Sequence, residues 1–170
     1  MKKFLAVTMT CALLLAGLLA CSGGEAPQKQ VDLSAFAKAL QEKYEFAAYL
    51  GEMNPENEYD QETYDRSFPG LLELDLEQRI NLVGMITLNN GEIGLAQAKT
   101  AEDAARVKEI FQKRIAYMAG DGETPGGAFY PGPTELWRNK SRVVWHGNYV
   151  MLICAEECEQ IMDEFVALFS

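Results

Sequence analysis

The chain has 170 residues, with 25 acidic and 15 basic side chains and a formal net charge of −10. Because so acidic a surface repels polyanions, nucleic acid is excluded as an expected partner. The single histidine excludes a histidine-rich metal site, and the length suffices for one domain with a real core.

The first 20 residues are predicted to be a signal peptide. Two lysines precede an apolar run over residues 4–19, and Leu18-Leu19-Ala20-Cys21 resembles the lipobox of bacterial lipoproteins. The resemblance implies cleavage between Ala20 and Cys21, with a diacylglycerol and fatty acyl chains such as palmitate on Cys21. The alternative is an uncleaved transmembrane anchor, but the apolar run of about 16 residues is shorter than the ~20 that span a bilayer. Cys21 is therefore the predicted lipidation site.

The predicted anchor places the mature protein on the extracytoplasmic face of the cell membrane. Attachment depends on the acyl chains, since at ~0.8 kcal/mol per buried CH₂ two long chains outweigh the repulsion between an acidic protein and anionic lipid. The membrane, reached through these chains, is an expected partner. Residues 21–31 are mostly small and polar and predict a flexible tether, and residues 32–170 predict a single α+β domain.

The domain opens with a helix that Asp32 or Ser34 can cap. Its apolar face follows helical spacing and consists of Leu33, Phe36, Ala37, Leu40 and Tyr44. Residues 51–65 then carry six acids and predict a loop with at most one helical turn. Such a loop could hold Ca²⁺, which favours oxygen ligands, but the D-x-[DN]-x-[DN]-G pattern is absent. The prediction is a solvated acidic loop without a metal.

Two similar β-β-α units follow. Four short strands are expected, two in each unit, over residues 80–88, 92–98, 142–145 and 149–154. The turns between them, Asn89-Asn90-Gly91 and His146-Gly147-Asn148, are of the kind that hairpins favour. Thr100 caps the helix of the first unit, Gly120 ends it, and Ala155 opens the last helix. The predicted fold is α+β, with an N-terminal helix and two β-β-α units forming a four-stranded antiparallel sheet packed by helices.

Between the units, residues 121–139 predict a loop rich in glycine and proline. A loop this long inside a compact domain is more often functional than inert. It holds Phe129, Tyr130 and Trp137, a candidate binding loop because rings on a constrained segment bind at little ordering cost. The alternative, favoured for Phe129 and Trp137, is that the rings fold back over the sheet. For Tyr130 both alternatives remain. It lies between the glycine-rich first half of the loop, which is expected to be mobile, and the second half, which two prolines stiffen.

The other residues with chemical potential form no catalytic signature. His146 lies at a hairpin turn, without the G-x-S-x-G serine that a hydrolase triad would need. Cys154 and Cys158 are spaced C-x₃-C, which is neither the C-x-x-C of thiol oxidoreductases nor a zinc site. Buried, inert thiols are the favoured interpretation, and a disulfide in an oxidising compartment is the alternative. No catalytic residue, metal or cofactor is predicted.

Residues 68–169 carry four motifs that together resemble a bacterial family. They are the hairpin end Ala98-Lys99, the helix segment Lys113-Arg114-Ile115, the step Phe129-Tyr130-Pro131 and the strand start Gly147-Asn148-Tyr149-Val150. These motifs are similar to those of the bacterial lipoproteins grouped as domain of unknown function 4358. The resemblance implies a lipid-anchored protein of the bacterial cell envelope. It implies no activity and therefore assigns no catalytic residue.

These expectations favour a lipid-anchored, extracytoplasmic binding or scaffolding module of the cell envelope, with an envelope protein or a small ligand as its partner. The alternative is a small envelope enzyme that uses carboxylates of the acidic loop, since histidine chemistry is nearly absent. The substrate-binding subunit of an importer is disfavoured, because such proteins usually have two larger lobes around a cleft. A deep pocket with converging carboxylates would favour the enzyme, and a shallow sheet or an aromatic groove would favour the binder.

Overall fold

Six helices and five strands organise the described part of the chain. The structure, a computed structural model, describes residues 29–84, 91–123 and 126–170. In chain order the elements are α1 (Leu33–Lys43), α2 (Glu45–Ala48), β1 (Leu50–Glu52), α3 (Glu58–Ser67), β2 (Leu76–Gly84), β3 (Glu92–Ala98), α4 (Ala101–Ala119), α5 (Pro131–Asn139), β4 (Ser141–His146), β5 (Tyr149–Cys154) and α6 (Cys158–Ala167). The predicted signal peptide, Cys21 and most of the predicted tether lie outside the described residues.

The strands form one antiparallel sheet in the order β1-β2-β3-β5-β4. Both predicted hairpin pairings are present, and they join through β3 and β5, where Glu92 lies opposite Cys154. The expected α+β class with an antiparallel sheet is confirmed. The expected count of four strands is wrong, because β1 pairs with β2 as a fifth, edge strand with Leu50 opposite Gly84. Three residues are too few to show the alternation that marks a strand in sequence.

Helices cover both faces of the sheet. The face packed by α1, α2 and α6, here the α6 face, contributes Ile80, Leu82, Ile93, Leu95, Tyr149, Met151 and Ile153. The face packed by α3, α4 and α5, here the α4 face, contributes Ala96, Ala98, Val150, Leu152 and Cys154. Because both faces are covered, β3 and β5 are buried along their whole length. The helices of the two predicted units lie on opposite faces, so the units are not equivalent copies.

Helices α1 and α4 follow their sequence signals. Asp32 caps α1 by accepting a hydrogen bond from the Ala35 N–H at 3.0 Å, and all five predicted face residues are buried. Thr100 caps α4 by accepting from the Asp103 N–H at 3.0 Å, and its hydroxyl donates to the Asp103 carboxylate. Gly120 ends α4 with a φ of 64°, which favours glycine. These predictions are confirmed.

The other boundaries either agree with the prediction or differ from it by one to four residues. The strands β3 and β5 have their predicted bounds, and β4 gains one residue at each end. Strand β2 begins at Leu76 rather than at Ile80, and α6 begins at Cys158 rather than at Ala155. Residues 85–90, which include the predicted end of β2 and most of the first turn, lie outside the described residues.

Helix α3 corrects the prediction of an acidic loop. Asn57 caps it by accepting from the Asp60 N–H at 3.2 Å, and acids in its first turn suit the positive end of the helix dipole. Tyr64 is the one buried residue within α3. The helix therefore carries no apolar periodicity, which is why the sequence pattern indicated a loop.

Helix α5 corrects the second half of the predicted loop over residues 121–139. Pro131 and Pro133 lie in its first turn, where a missing backbone N–H breaks no helical hydrogen bond. Thr134, Leu136 and Trp137 are buried, so the helix packs into the domain. The connection between α4 and α5 is therefore reduced to residues 120–130, of which 124 and 125 lie outside the described residues.

Candidate functional site

A cavity of about 600 Å³ opens on the α4 face, at the end of the sheet where β2 ends and β3 begins. We name it the α3–α4 cavity. Six parts of the chain line it: residues 51–53, α3, the adjoining ends of β2 and β3, the last turns of α4, residues 127–129, and α5. The volume lies within the ~300–1,000 Å³ of typical small-molecule sites.

A buried ion pair forms part of the cavity lining. Arg114 of α4 donates from Nε to Glu92 Oε1 at 3.0 Å and from Nη2 to Glu92 Oε2 at 2.7 Å. The Glu92 and Arg114 side chains are only 4% and 11% exposed. Burial opposes the charged form of Arg114, but the charge and hydrogen bonds of Glu92 outweigh it and raise the Arg114 pKa. The guanidinium also lies over the rings of Phe68 and Trp137, at 5.5 and 5.7 Å.

Helix α3 supplies the polar wall of the cavity. Asp60 accepts through Oδ2 from the Asn54 N–H at 2.8 Å, which ties the segment before α3 to the helix. Thr63 donates its hydroxyl to the Tyr59 carbonyl at 3.1 Å. Arg66 also lines the cavity, and Glu52 faces it from the end of β1. This wall therefore presents acceptors and a donor side by side.

The glycine pair Gly126-Gly127 is fixed against the end of α4. The Gly127 N–H donates to the Tyr117 carbonyl at 2.8 Å, and the following residue donates to the Met118 carbonyl at 3.3 Å. A Cβ at Gly126 would overlap the backbone of Met118 and Gly120, so only glycine permits this approach. These contacts join the two glycines to the end of α4, and the predicted mobility of the glycine-rich half stays a prediction.

This fixed segment holds Phe129 in a strained conformation at the cavity. Phe129 has a φ of 59°, the one positive φ of a non-glycine residue among those described. That region costs an L-residue roughly 1–2 kcal/mol. Phe129 is 69% exposed, and its ring lies edge-on to Tyr130, with the ring centroids 5.4 Å apart. The ring therefore adds little to the core, although the surrounding structure maintains its strained backbone.

The three candidate loop residues have different outcomes. We expected Phe129 to fold back over the sheet. It is exposed instead and lines the cavity. Trp137 is 3% exposed, so the favoured prediction that it is a core residue is confirmed, although it belongs to a helix and also contributes to the cavity lining. Tyr130 is half-exposed, precedes α5 as its N-cap residue and is not among the cavity-lining residues.

Several cavity residues have no predicted role in the sequence. Glu92, Arg114, Tyr59 and Tyr117 are not candidate site residues there, and of the six acids of residues 51–65 only Glu52 and Asp60 line the cavity. One signal could have found Glu92, because an acid opening a strand that is otherwise buried on both faces needs a cationic partner. No comparable signal in sequence marks the two exposed tyrosines.

The other candidate groups lie apart from the cavity lining. His146 stacks on Phe169 with a centroid distance of 4.3 Å, at the far end of the sheet. Cys154 and Cys158 are free and buried on opposite faces of the sheet, so the alternative of a disulfide does not hold. Burial raises the pKa of both thiols, which disfavours the reactive thiolate. They are therefore packing residues, as the favoured interpretation predicted.

Two further findings bound the site. Within the described ranges, no three His, Cys, Asp or Glu side chains gather closely enough to hold a metal ion. No described helix combines the length and the hydrophobicity that crossing a bilayer requires.

Comparisons with family models, with curated proteins and with solved structures give no match. The resemblance of residues 68–169 to a lipoprotein family therefore stays a prediction, and the chemistry of the site must be inferred from the α3–α4 cavity.

Proposed function

We propose that the protein is a lipid-anchored binding module on the extracytoplasmic face of the bacterial cell membrane, and that it holds a small ligand in the α3–α4 cavity. The observation that carries the proposal is Phe129. Its backbone is strained and its side chain is exposed beside a cavity of ligand size. Packing in the core therefore does not explain why the fold maintains this strain. A contact with a bound ligand explains both the strain and the exposure.

A small ligand fits this site better than a protein partner. The exposed rings of Phe129, Tyr59 and Tyr117 come from three different parts of the chain and line one concave space. Concave, largely preformed sites with a few placed polar groups are typical of small-molecule binding. Protein contacts more often use a flatter surface with an apolar centre and a polar rim.

The carboxylates favour binding over the alternative of carboxylate catalysis. Both Glu92 oxygens accept hydrogen bonds from Arg114, so this group is not available as a general base. One Asp60 oxygen accepts from the Asn54 backbone. With Glu92 held in the ion pair, the lining keeps Glu52 and the second oxygen of Asp60 as carboxylate acceptors, which suits hydrogen bonding to a ligand.

The start of the domain supports an anchored arrangement. The Val31 N–H donates to the Tyr149 hydroxyl at 3.1 Å, and the Leu33 N–H donates to Gln78 Oε1 at 2.8 Å. These bonds hold the chain at the end of the sheet where β2 and β5 begin. The cavity lies at the other end, since Gln78 and Gly84 are ~20 Å apart along β2 at ~3.3 Å per residue. The predicted tether would therefore join the domain at the end of the sheet opposite the cavity.

The anchor is tested by Cys21→Ser in a bacterial host. We expect the variant to remain an uncut precursor without fatty acid, because the thioether can form only on the cysteine sulfur. Intact mass and labelling with radioactive palmitate measure both effects. Cys11→Ser, inside the signal peptide, is the matched control and should mature normally. If Cys21→Ser is cut and partitions with membranes as the wild type does, the lipoprotein proposal is wrong.

The cavity is tested by Thr63→Trp, because Thr63 of α3 lines the cavity and an indole at this position would fill part of it. We expect the wild type to bind several members of a mixed fragment set of aromatics, amines and sugars in ligand-observed NMR, and the variant to bind none of them. Glu62→Trp, on the same helix but not lining the cavity, is the control and should bind as the wild type does. Equal binding by Thr63→Trp, or no binding by the wild type, would refute the proposal.

A further inference from the structure

Three of the aromatic side chains that line the α3–α4 cavity are exposed, whereas the fourth, Trp137, is buried. Seven large apolar side chains are exposed among the described residues, and three of them (Tyr59, Tyr117 and Phe129) line this cavity. An aromatic face carries partial negative charge. The C–H bonds on one face of a pyranose ring are apolar and weakly positive, so a sugar ring stacks well on such a surface. The rings therefore supply platforms for a flat, partly apolar ligand.

The polar wall complements hydroxyl groups. Glu52 and Asp60 provide carboxylate acceptors, and Arg66 provides guanidinium donors in the same lining. A hydroxyl group both donates and accepts, so adjacent hydroxyls can use a carboxylate and a guanidinium together. A ligand with only acceptors, such as a phosphate, would leave the carboxylates without a favourable contact.

The charge of the lining disfavours anions. Glu92 and Arg114 neutralise each other, so Glu52, Asp60 and Arg66 leave a formal charge of −1 in a chain of −10. An anionic ligand would meet this field without a cationic cluster to hold it. A neutral ligand meets no such penalty, and Arg66 offsets part of the attraction that Glu52 and Asp60 exert on a cation.

We propose that the ligand of the α3–α4 cavity is a neutral oligosaccharide, stacked on the rings of Phe129 and Tyr59 and hydrogen-bonded by the α3 wall. This assignment rests on the proposed function of the cavity as a binding site. The assignment depends on two properties of the ligand, apolar ring faces that stack and hydroxyl groups that form hydrogen bonds. It requires no metal and no covalent step.

The experiment titrates the purified protein with maltotriose, cellotriose and triacetylchitotriose, using calorimetry and saturation-transfer NMR. We expect at least one of the three to bind at millimolar concentration or below. Phe129→Ala and Tyr59→Ala should each weaken this binding about tenfold, the effect of losing one aromatic contact. Trp145→Ala removes an exposed ring on β4 that does not line the cavity, and it should leave binding unchanged. All three variants should keep the wild-type melting temperature within a few degrees.

The other outcomes overturn the carbohydrate assignment. Binding of choline or inorganic phosphate in place of all three sugars would show a charged ligand, while the cavity would still be a binding site. Sugar binding that survives both Phe129→Ala and Tyr59→Ala would place the sugar elsewhere. If none of the three sugars binds but the mixed fragments still do so in a way that Thr63→Trp abolishes, the assignment fails and the proposed function stands. If neither sugars nor fragments bind, both fail.

Discussion

Arg114→Ala is expected to lower the free energy of unfolding by about 3–5 kcal/mol, the usual cost of removing one partner from a buried ion pair. The substitution leaves the Glu92 carboxylate, which is 4% exposed, without either of its guanidinium hydrogen bonds. It also removes the cation that lies over Phe68 and Trp137. Equilibrium denaturation in urea, followed by circular dichroism, measures the change.

Two further variants isolate the cause of this loss. Lys113→Ala removes a cation from the neighbouring position of α4, where it pairs with exposed Glu109 at 2.7 Å, and it should leave the denaturation midpoint nearly unchanged. The double variant Arg114→Met with Glu92→Leu should recover most of the loss, because an apolar pair leaves no buried charge without a partner. If Arg114→Ala costs no more than Lys113→Ala, the pair is not buried as described.

Trp137→Ala is expected to cost about 3–5 kcal/mol, as for other fully buried large aromatics. The ring is 3% exposed and packs beneath the Arg114 guanidinium, so its removal leaves a void between α5 and the α4 face. Thermal and urea unfolding measure the loss. Because Trp137 and Arg114 are in contact, combining the two substitutions should cost less than the sum of the separate effects.

Phe129→Ala is the matched control, since both residues belong to the segment whose rings were candidates for binding. Its stability change should be small, because the exposed ring leaves the core intact and alanine keeps the same backbone strain. A tolerated Trp137→Ala would contradict the docking of α5. A large loss from Phe129→Ala would instead show that its ring is a core residue, and would remove the observation that carries the proposed function.

Part of the site could be predicted from sequence, and part could not. Phe129 and Trp137 were recognised as aromatic residues of one segment, but exposure and burial follow from the fold around them. Asp60 was recognised as one of several acids, and only the formation of α3 brings it to the cavity. The partners Glu92 and Arg114 lie 22 residues apart, on a strand and a helix, and no local sequence pattern predicts that they pair.

Sequence by itself determined the elements whose burial leaves a local pattern of apolar residues. Helices α1 and α4 bury one face and show helical spacing, and strands β3 and β5 are buried throughout and are short, mostly apolar runs bounded by turns. Only the tertiary structure decided β1, α3 and α5, because β1 has three residues, α3 buries one residue, and the prolines and glycine that open α5 are typical of a loop. The α3–α4 cavity depends on them. It forms where residues distant in sequence come into contact, and a local sequence pattern does not predict such contacts.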